Sequence, residues 1–110
     1  MLNRRDKRRY LAVWNGSGCD HRKVVELIGK RSSELFGQIA TTRANIRFVN
    51  IDKKEIIILS CKLEKLQTML STIALMQPPM VLLRISGTLK SLRTLLERDK
   101  ERFLHTFHPS

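Results

Sequence analysis

Five cations crowd the first nine residues, Arg4, Arg5, Lys7, Arg8 and Arg9, against one acid, Asp6. Guanidinium groups fork onto phosphate oxygens and stay charged, so the chemistry this run offers is anion contact. A second basic constellation lies near the other end. There "VLLRISGTLKSLR" leaves an apolar run at Ser86-Gly87-Thr88 and enters a helical pattern that carries Lys90 and Arg93. Glycine would give this turn backbone freedom, and Thr88 can cap the helix. The free N–H groups of a helix start would then join the two cations as an anion site. Catalytic patterns are missing. Asp and Glu are scattered among bases rather than paired, and no GxSxG elbow or Walker-type loop occurs. Cys19 and Cys61 show no CxxC spacing and no cluster of His ligands; His105 and His108 read as a solvated tail. No metal site, disulfide framework or catalytic residue is expected, and reduced thiols suit an intracellular protein.

The rest of the chain must hold these cations in place. Its 110 residues suit one domain with a single modest core, and 42% hydrophobic content is enough to fold it. Lys and Arg number 21 against 10 Asp and Glu, for a formal charge of +11. A compact domain with that excess repels itself until it meets an anion, which points to nucleic acid. No apolar run approaches the roughly 18 residues of a membrane span, and the basic N-terminus lacks the apolar stretch of a signal peptide.

Periodicity then divides the chain. "RYLAVWN" reads as a strand, broken by "GSG", with Asp20 able to cap a helix over 21–36. Val24, Val25, Ile28, Leu35 and Phe36 form that helix's stripe, Ser32 interrupts it, and Gly37 ends it. "ANIRFVNI" and "EIIILSC" read as a hairpin around "DKK". "CKLEKLQTMLSTIALM" is a helix with Leu63, Leu66, Leu70, Ile73 and Ala74 on one face, stopped by Pro78-Pro79. "MVLLRIS" is the last strand, and 88–104 the last helix, with Leu89, Leu92, Leu96 and Phe103 as its stripe and Leu95 beside it. The order predicts an α+β, RRM-like or ferredoxin-like βαββαβ sandwich: a four-stranded antiparallel sheet with two helices on one face, plus a C-terminal helix free to cover an edge or face. The expected organisation is a basic arm over 1–9, one domain over 10–104 and a tail over 105–110.

A basic domain of this topology raises the RNA-recognition module, which stacks bases on aromatics of its central strands. "EIIILSC" has no aromatic residue, and Tyr10 and Trp14, spaced to share a face, read as packing or interface residues. An acylphosphatase-like hydrolase would want an anion loop with Arg after the first strand, where "NGSGCD" has an acid instead.

Taken together, "RRDKRRYLAV", "ELFGQIATTRANIRFV" and "LLRISGTLKSLR" resemble the ribonuclease P protein component 2 family, the subunit often called Pop-five, of archaea and eukaryotes. The resemblance runs from about residue 5 to about residue 96. It is carried by Lys7, Arg9 and Tyr10, by Phe36 and Gly37, and by Ser86, Gly87, Thr88, Lys90 and Arg93. It implies a non-catalytic, RNA-binding subunit of the ribonucleoprotein that removes 5′ leaders from precursor tRNA, with Mg²⁺ on the RNA and no cofactor on the protein. The implied partners are ribonuclease P RNA, precursor tRNA and protein component 3, in a two-fold heterotetramer. The setting is cytoplasmic for an archaeal chain and nuclear or nucleolar for a eukaryotic one.

The expected RNA-contacting set is Arg4, Arg5, Lys7, Arg8, Arg9, Arg43, Arg47, Thr88, Lys90 and Arg93, with Gly37, Ser86 and Gly87 as structural turns. Another structured-RNA-binding protein of this topology, ribosomal for instance, fits the same residues. An oligomeric ligand-binding regulatory domain fits the topology but not the charge.

Overall fold

The computed structural model describes the backbone of residues 7–16, 20–53 and 55–107, and their side chains except at 52, 53 and 100–107. Arg4, Arg5, Cys19 and His108 lie outside the described residues, as do the side chains of Phe103 and His105.

Strand β1 (Arg8–Asn15) leads into helix α1 (His21–Phe36). Asp20 caps α1 as its type allows: a carboxylate oxygen accepts from the Lys23 amide at 3.0 Å. That bond holds the Asp20 carboxyl below its ordinary range, with the cations of the first turn adding to it. Val24, Ile28 and Ser32 are the buried residues of α1, whereas Phe36 is 44% exposed, off the stripe that periodicity assigned it to.

Gly37 does more than end α1. Its N–H donates to the Ser33 carbonyl at 3.0 Å, and its own carbonyl accepts from the Thr41 amide at 3.2 Å. It thereby starts a second, unanticipated helix, α2 (Gln38–Ala44). Gly37 adopts φ +93°, a conformation only glycine takes without strain. Ser32, a polar residue in an apolar stripe, is explained by α2: its hydroxyl, fully buried, pairs with Thr41 Oγ1 at 2.8 Å. Left-handed Asn45 closes α2.

Strands β2 (Arg47–Lys53) and β3 (Ile56–Lys62) form the expected hairpin. The predicted helix start at Cys61 is corrected: β3 continues through Lys62, a 3-10 turn covers Leu63–Lys65, and α3 spans Leu66–Ala74. Its buried residues are Met69, Thr72 and Ile73, while Ala74 is exposed. Beyond α3, a cis Gln77–Pro78 bond precedes β4 (Met80–Ser86), which occupies the predicted residues. Helix α4 (Leu89–Phe107) runs three residues past its expected end.

The sheet order is β2-β3-β1-β4, with each pair antiparallel, which is the expected ferredoxin-like arrangement. On one face, Leu11, Val13, Ile57, Leu59 and Cys61 pack with Val24 and Ile28 of α1 and Met69 and Ile73 of α3. Burial there pushes the Cys61 thiol up to about 11, so it stays protonated at neutral pH. On the other face, Ala12, Ile56 and Ile58 pack with Leu92 and Leu96 of α4, flanked by Tyr10, Val49, Leu83 and Leu89. The C-terminal helix therefore covers the face that an RNA-recognition module leaves open to bases. Tyr10 is half-buried at the edge of that second core, and Trp14 donates its indole N–H to Glu55 at 3.1 Å. Both aromatics pack.

Leu92 tests how firmly α4 belongs to the fold. Because the residue is fully buried against the sheet, Leu92→Ala should lower the unfolding free energy by about 2 to 5 kcal/mol, measured by urea denaturation. A loss near zero would mean α4 is not packed there in solution. The Asp20 cap has a pH signature. Its folded-state pKa is depressed, so its contribution is present above the unfolded carboxylate range and is lost as pH falls through the folded value. Asp20→Asn keeps a capping side chain but should lack that part of the acid limb, read from denaturation midpoints between pH 2 and 6.

Candidate nucleic-acid interface

Strand alternation decides which cations meet. In β3, Ile56 and Ile58 face α4, so Ser60 and Lys62 follow on that face; in β1, Ala12 and Tyr10 do, so Arg8 follows. The register lines these up. Arg47 of β2 stands opposite Ser60, Ser60 opposite Tyr10, and Tyr10 opposite Ser86, one polar row across all four strands. One step outward, Arg8 is opposite Lys62.

Arg8 and Arg9 correct the arm boundary: both belong to β1. Arg8 is also tied into the fold. Its Nη2 donates to the Asn45 carbonyl at 2.6 Å and to Ser60 Oγ at 2.9 Å, and its Nε donates to Ser60 Oγ at 3.2 Å. The guanidinium thus clips the end of α2 to β3. Partial burial and the neighbouring Arg47 charge both draw its pKa below the ordinary arginine value. Arg47 itself is exposed.

Arg9 leaves the arm in another direction. Its Nη1 donates to the Arg8 carbonyl at 3.0 Å, and a methyl placed on Gly87 would stand 3.6 Å from that nitrogen. The guanidinium therefore lies against the turn into α4, so the basic N-terminal run and the Ser86-Gly87-Thr88 turn meet there. Gly87 has no positive φ, and an added methyl finds only ordinary contact, so backbone freedom is not what this turn requires. Thr88 caps α4 as expected, with its hydroxyl accepting from the Ser91 amide at 3.1 Å, and Ser86 Oγ accepts from the Thr88 amide at 3.4 Å. Lys90 and Arg93 are exposed on the opening turns of α4.

Lys7 is exposed, and its carbonyl accepts from the Leu63 amide at 2.8 Å. Arg43 is exposed on the last turn of α2, where a cation suits the helix dipole. The structure thus gathers Arg8, Arg47 and Lys62 on the sheet, and Arg9, Lys90 and Arg93 around the start of α4. Sequence reasoning passed over Lys62, Ser60 and Asn45, although the period-two pattern of "IIILSCK" already placed the first two on one face. Among the described residues, ion pairs link Lys23 to Glu26, Arg31 to Glu34 and Arg84 to Asp99, none of them in either cationic group. Neither cationic group is ion-paired to a carboxylate among the described residues.

Arg8 and Arg47 should separate in a stability assay. Arg8→Ala removes hydrogen bonds from a charged donor at a half-exposed site, so a loss of about 1 to 2 kcal/mol is expected, reduced by relief of its repulsion with Arg47. Arg47→Ala should leave the thermal midpoint nearly unchanged. Equal midpoints for both variants would show that the Asn45 and Ser60 bonds do not hold in solution.

No family model and no curated protein matches this chain. Its fold is similar to a chain in the electron cryomicroscopy structure of yeast ribonuclease MRP, with a TM-score of 0.57 at 10% identity, covering 96% of this chain and 96% of that one. The likeness is one of fold, and it spans nearly the whole of both chains.

Proposed function

We propose that this chain is a non-catalytic, RNA-binding protein subunit of ribonuclease P, supporting a catalytic RNA in the removal of 5′ leaders from precursor tRNA. The observation that carries the reading is the coincidence of two things. The fold follows a chain of yeast ribonuclease MRP over 96% of both lengths, and its cations stand in two groups without carboxylate partners among the described residues. The sequence motifs that resemble protein component 2 run through both groups. Covering of the second sheet face by α4 fits a protein that meets folded RNA through its phosphates rather than by stacking loose bases.

The mechanism is electrostatic. A folded RNA core brings phosphates close together, and their repulsion must be screened by Mg²⁺ or by fixed cations. Arg8 and Arg9 at the sheet end, with Lys90 and Arg93 on α4, supply fixed cations at no further cost in ordering where the fold already holds them. The bound Mg²⁺ belongs to the RNA in this reading. Phe36 and Ile39, 44% and 72% exposed on either side of Gly37, are the kind of apolar surface that an assembly buries, and component 3 is the partner the reading assigns.

The experiment adds this protein, with component 3, to ribonuclease P RNA and precursor tRNA, and follows 5′ cleavage as Mg²⁺ is lowered. Cleavage should persist at Mg²⁺ concentrations where the RNA alone fails. If six to eight phosphates are engaged, the logarithm of affinity should fall with the logarithm of salt with a slope of about −5 to −7. RNA binding that ignores salt, or binding without rescue, would remove the subunit assignment.

A further inference from the structure

Arg8 bonds Ser60, the residue that stands opposite Arg47 in the register, so both arginines flank Ser60 on one sheet face, and no ion pair among the described residues neutralises either. Their arrangement is unequal in a useful way. Two acceptors from two other elements, the Asn45 carbonyl and the Ser60 hydroxyl, fix the Arg8 guanidinium through Nε and Nη2. Nη1 has no protein acceptor among the described hydrogen bonds, so one corner of the fork remains for another ligand. Arg47, on β2 opposite Ser60, is exposed and carries its full fork. Lys62, opposite Arg8 in the register, adds a third positive charge on the same face.

The surroundings leave this corner open. Helix α4 packs over β1 and β4, and toward β2 the face becomes accessible: Val49 is half-buried, and Arg47 and Asn50 are exposed. A fold that ties one partly desolvated guanidinium to the residue opposite a second arginine accepts a repulsion that an oxyanion would reverse.

We propose that Arg8 and Arg47 form a two-guanidinium clamp for a phosphate group, with Arg8 as the pre-oriented member, Arg47 as the closing one and Lys62 beside them. The chemistry is that of a tetrahedral phosphate oxyanion, taken here as a backbone phosphodiester of the bound RNA; to that extent the inference rests on the RNA-binding reading above. It assigns Arg8 a dual role, structural through Asn45 and Ser60 and binding through its remaining edge. It also separates this site from the cations around the start of α4. Two phosphate contacts at different places on the surface mean that their variants should act additively on the salt slope.

The test uses the full chain labelled with nitrogen-15, following the arginine Nε–H signals while inorganic phosphate and, separately, a structured RNA are added. The Arg8 and Arg47 signals should shift together with RNA, and Arg47→Ala should lower the salt slope of RNA binding by about one without moving the thermal midpoint. Arg8→Lys keeps a charge but not the fork, and should lose RNA affinity while remaining folded. RNA binding with both signals still and an unchanged slope in Arg47→Ala overturns the clamp and leaves the RNA reading standing. Joint shifts with inorganic phosphate but no RNA binding keep the clamp as a free-phosphate site and remove the RNA reading. Silence toward both ligands overturns the clamp outright.

Discussion

Leu11, Ala12 and Val13 are consecutive residues of β1, and all three are buried. Side chains of a strand alternate between faces, so burying three in a row requires cover on both sides of the sheet at the same place. The rest of the architecture follows from that demand. β1 is an inner strand, paired with β3 on one side and β4 on the other. Leu11 and Val13 meet α1 and α3, and Ala12 meets α4 through Leu92 and Leu96. Ala12 is small enough to let α4 lie close, and Ile56 and Ile58 supply the bulk that it lacks. A three-layer arrangement lets a chain of 110 residues bury apolar side chains on both faces of one sheet, which offsets the self-repulsion of a domain of this charge.

That constraint also sorts the charges. With both faces of the middle of the sheet occupied, cations can only gather at its ends and on the outer sides of the helices. The end where β1 begins and β4 finishes holds both cationic groups, since Arg8, Arg9, Arg47 and Lys62 lie there by register and α4 starts there by connectivity. At the same end the fold uses one cation as a structural part. Arg8 joins β1 to β3 and to the close of α2, an uncommon use of a guanidinium in a domain that has no shortage of them. Arg84 plays a comparable part on the opposite flank, donating through Nε to Asp99 at 2.9 Å and so tying β4 to α4. At Asn45 and at Asp99 a long side chain crosses between elements that backbone hydrogen bonds do not connect.

His21 and Phe48 show how the α2 insertion is accommodated. Their rings stack with centroids 4.0 Å apart, joining the first residue of α1 to β2 across the segment in which α2 lies. Gly16 is constrained in a similar local way, because a methyl there would meet the Trp14 ring at 2.6 Å. Trp14 in turn bonds Glu55 just before β3, so the end of β1 is fastened to the β2–β3 turn.

The sequence by itself determined the order of the four strands and the three long helices, the antiparallel sheet, the Asp20 and Thr88 caps and the excess of cations, because each of these is written in local periodicity or in the chemistry of one residue type. It did not show α2. Gly37 carries the signature of a helix end, and the seven residues after it, rich in Thr and lacking an apolar stripe, carry no periodic signal; their helix depends on Ser32 across the α1 interface. Nor could it assign α4 to a sheet face, since an apolar stripe records that a helix is covered but not by which surface. The role of Arg8 was further out of reach. Composition counts it with its neighbours as one more arm cation, while its acceptors lie 37 and 52 residues away in the chain and come within 3 Å only when β1, β3 and α2 assemble. Hydrogen bonds over such separations depend on packing and register, and these exist only in the tertiary structure.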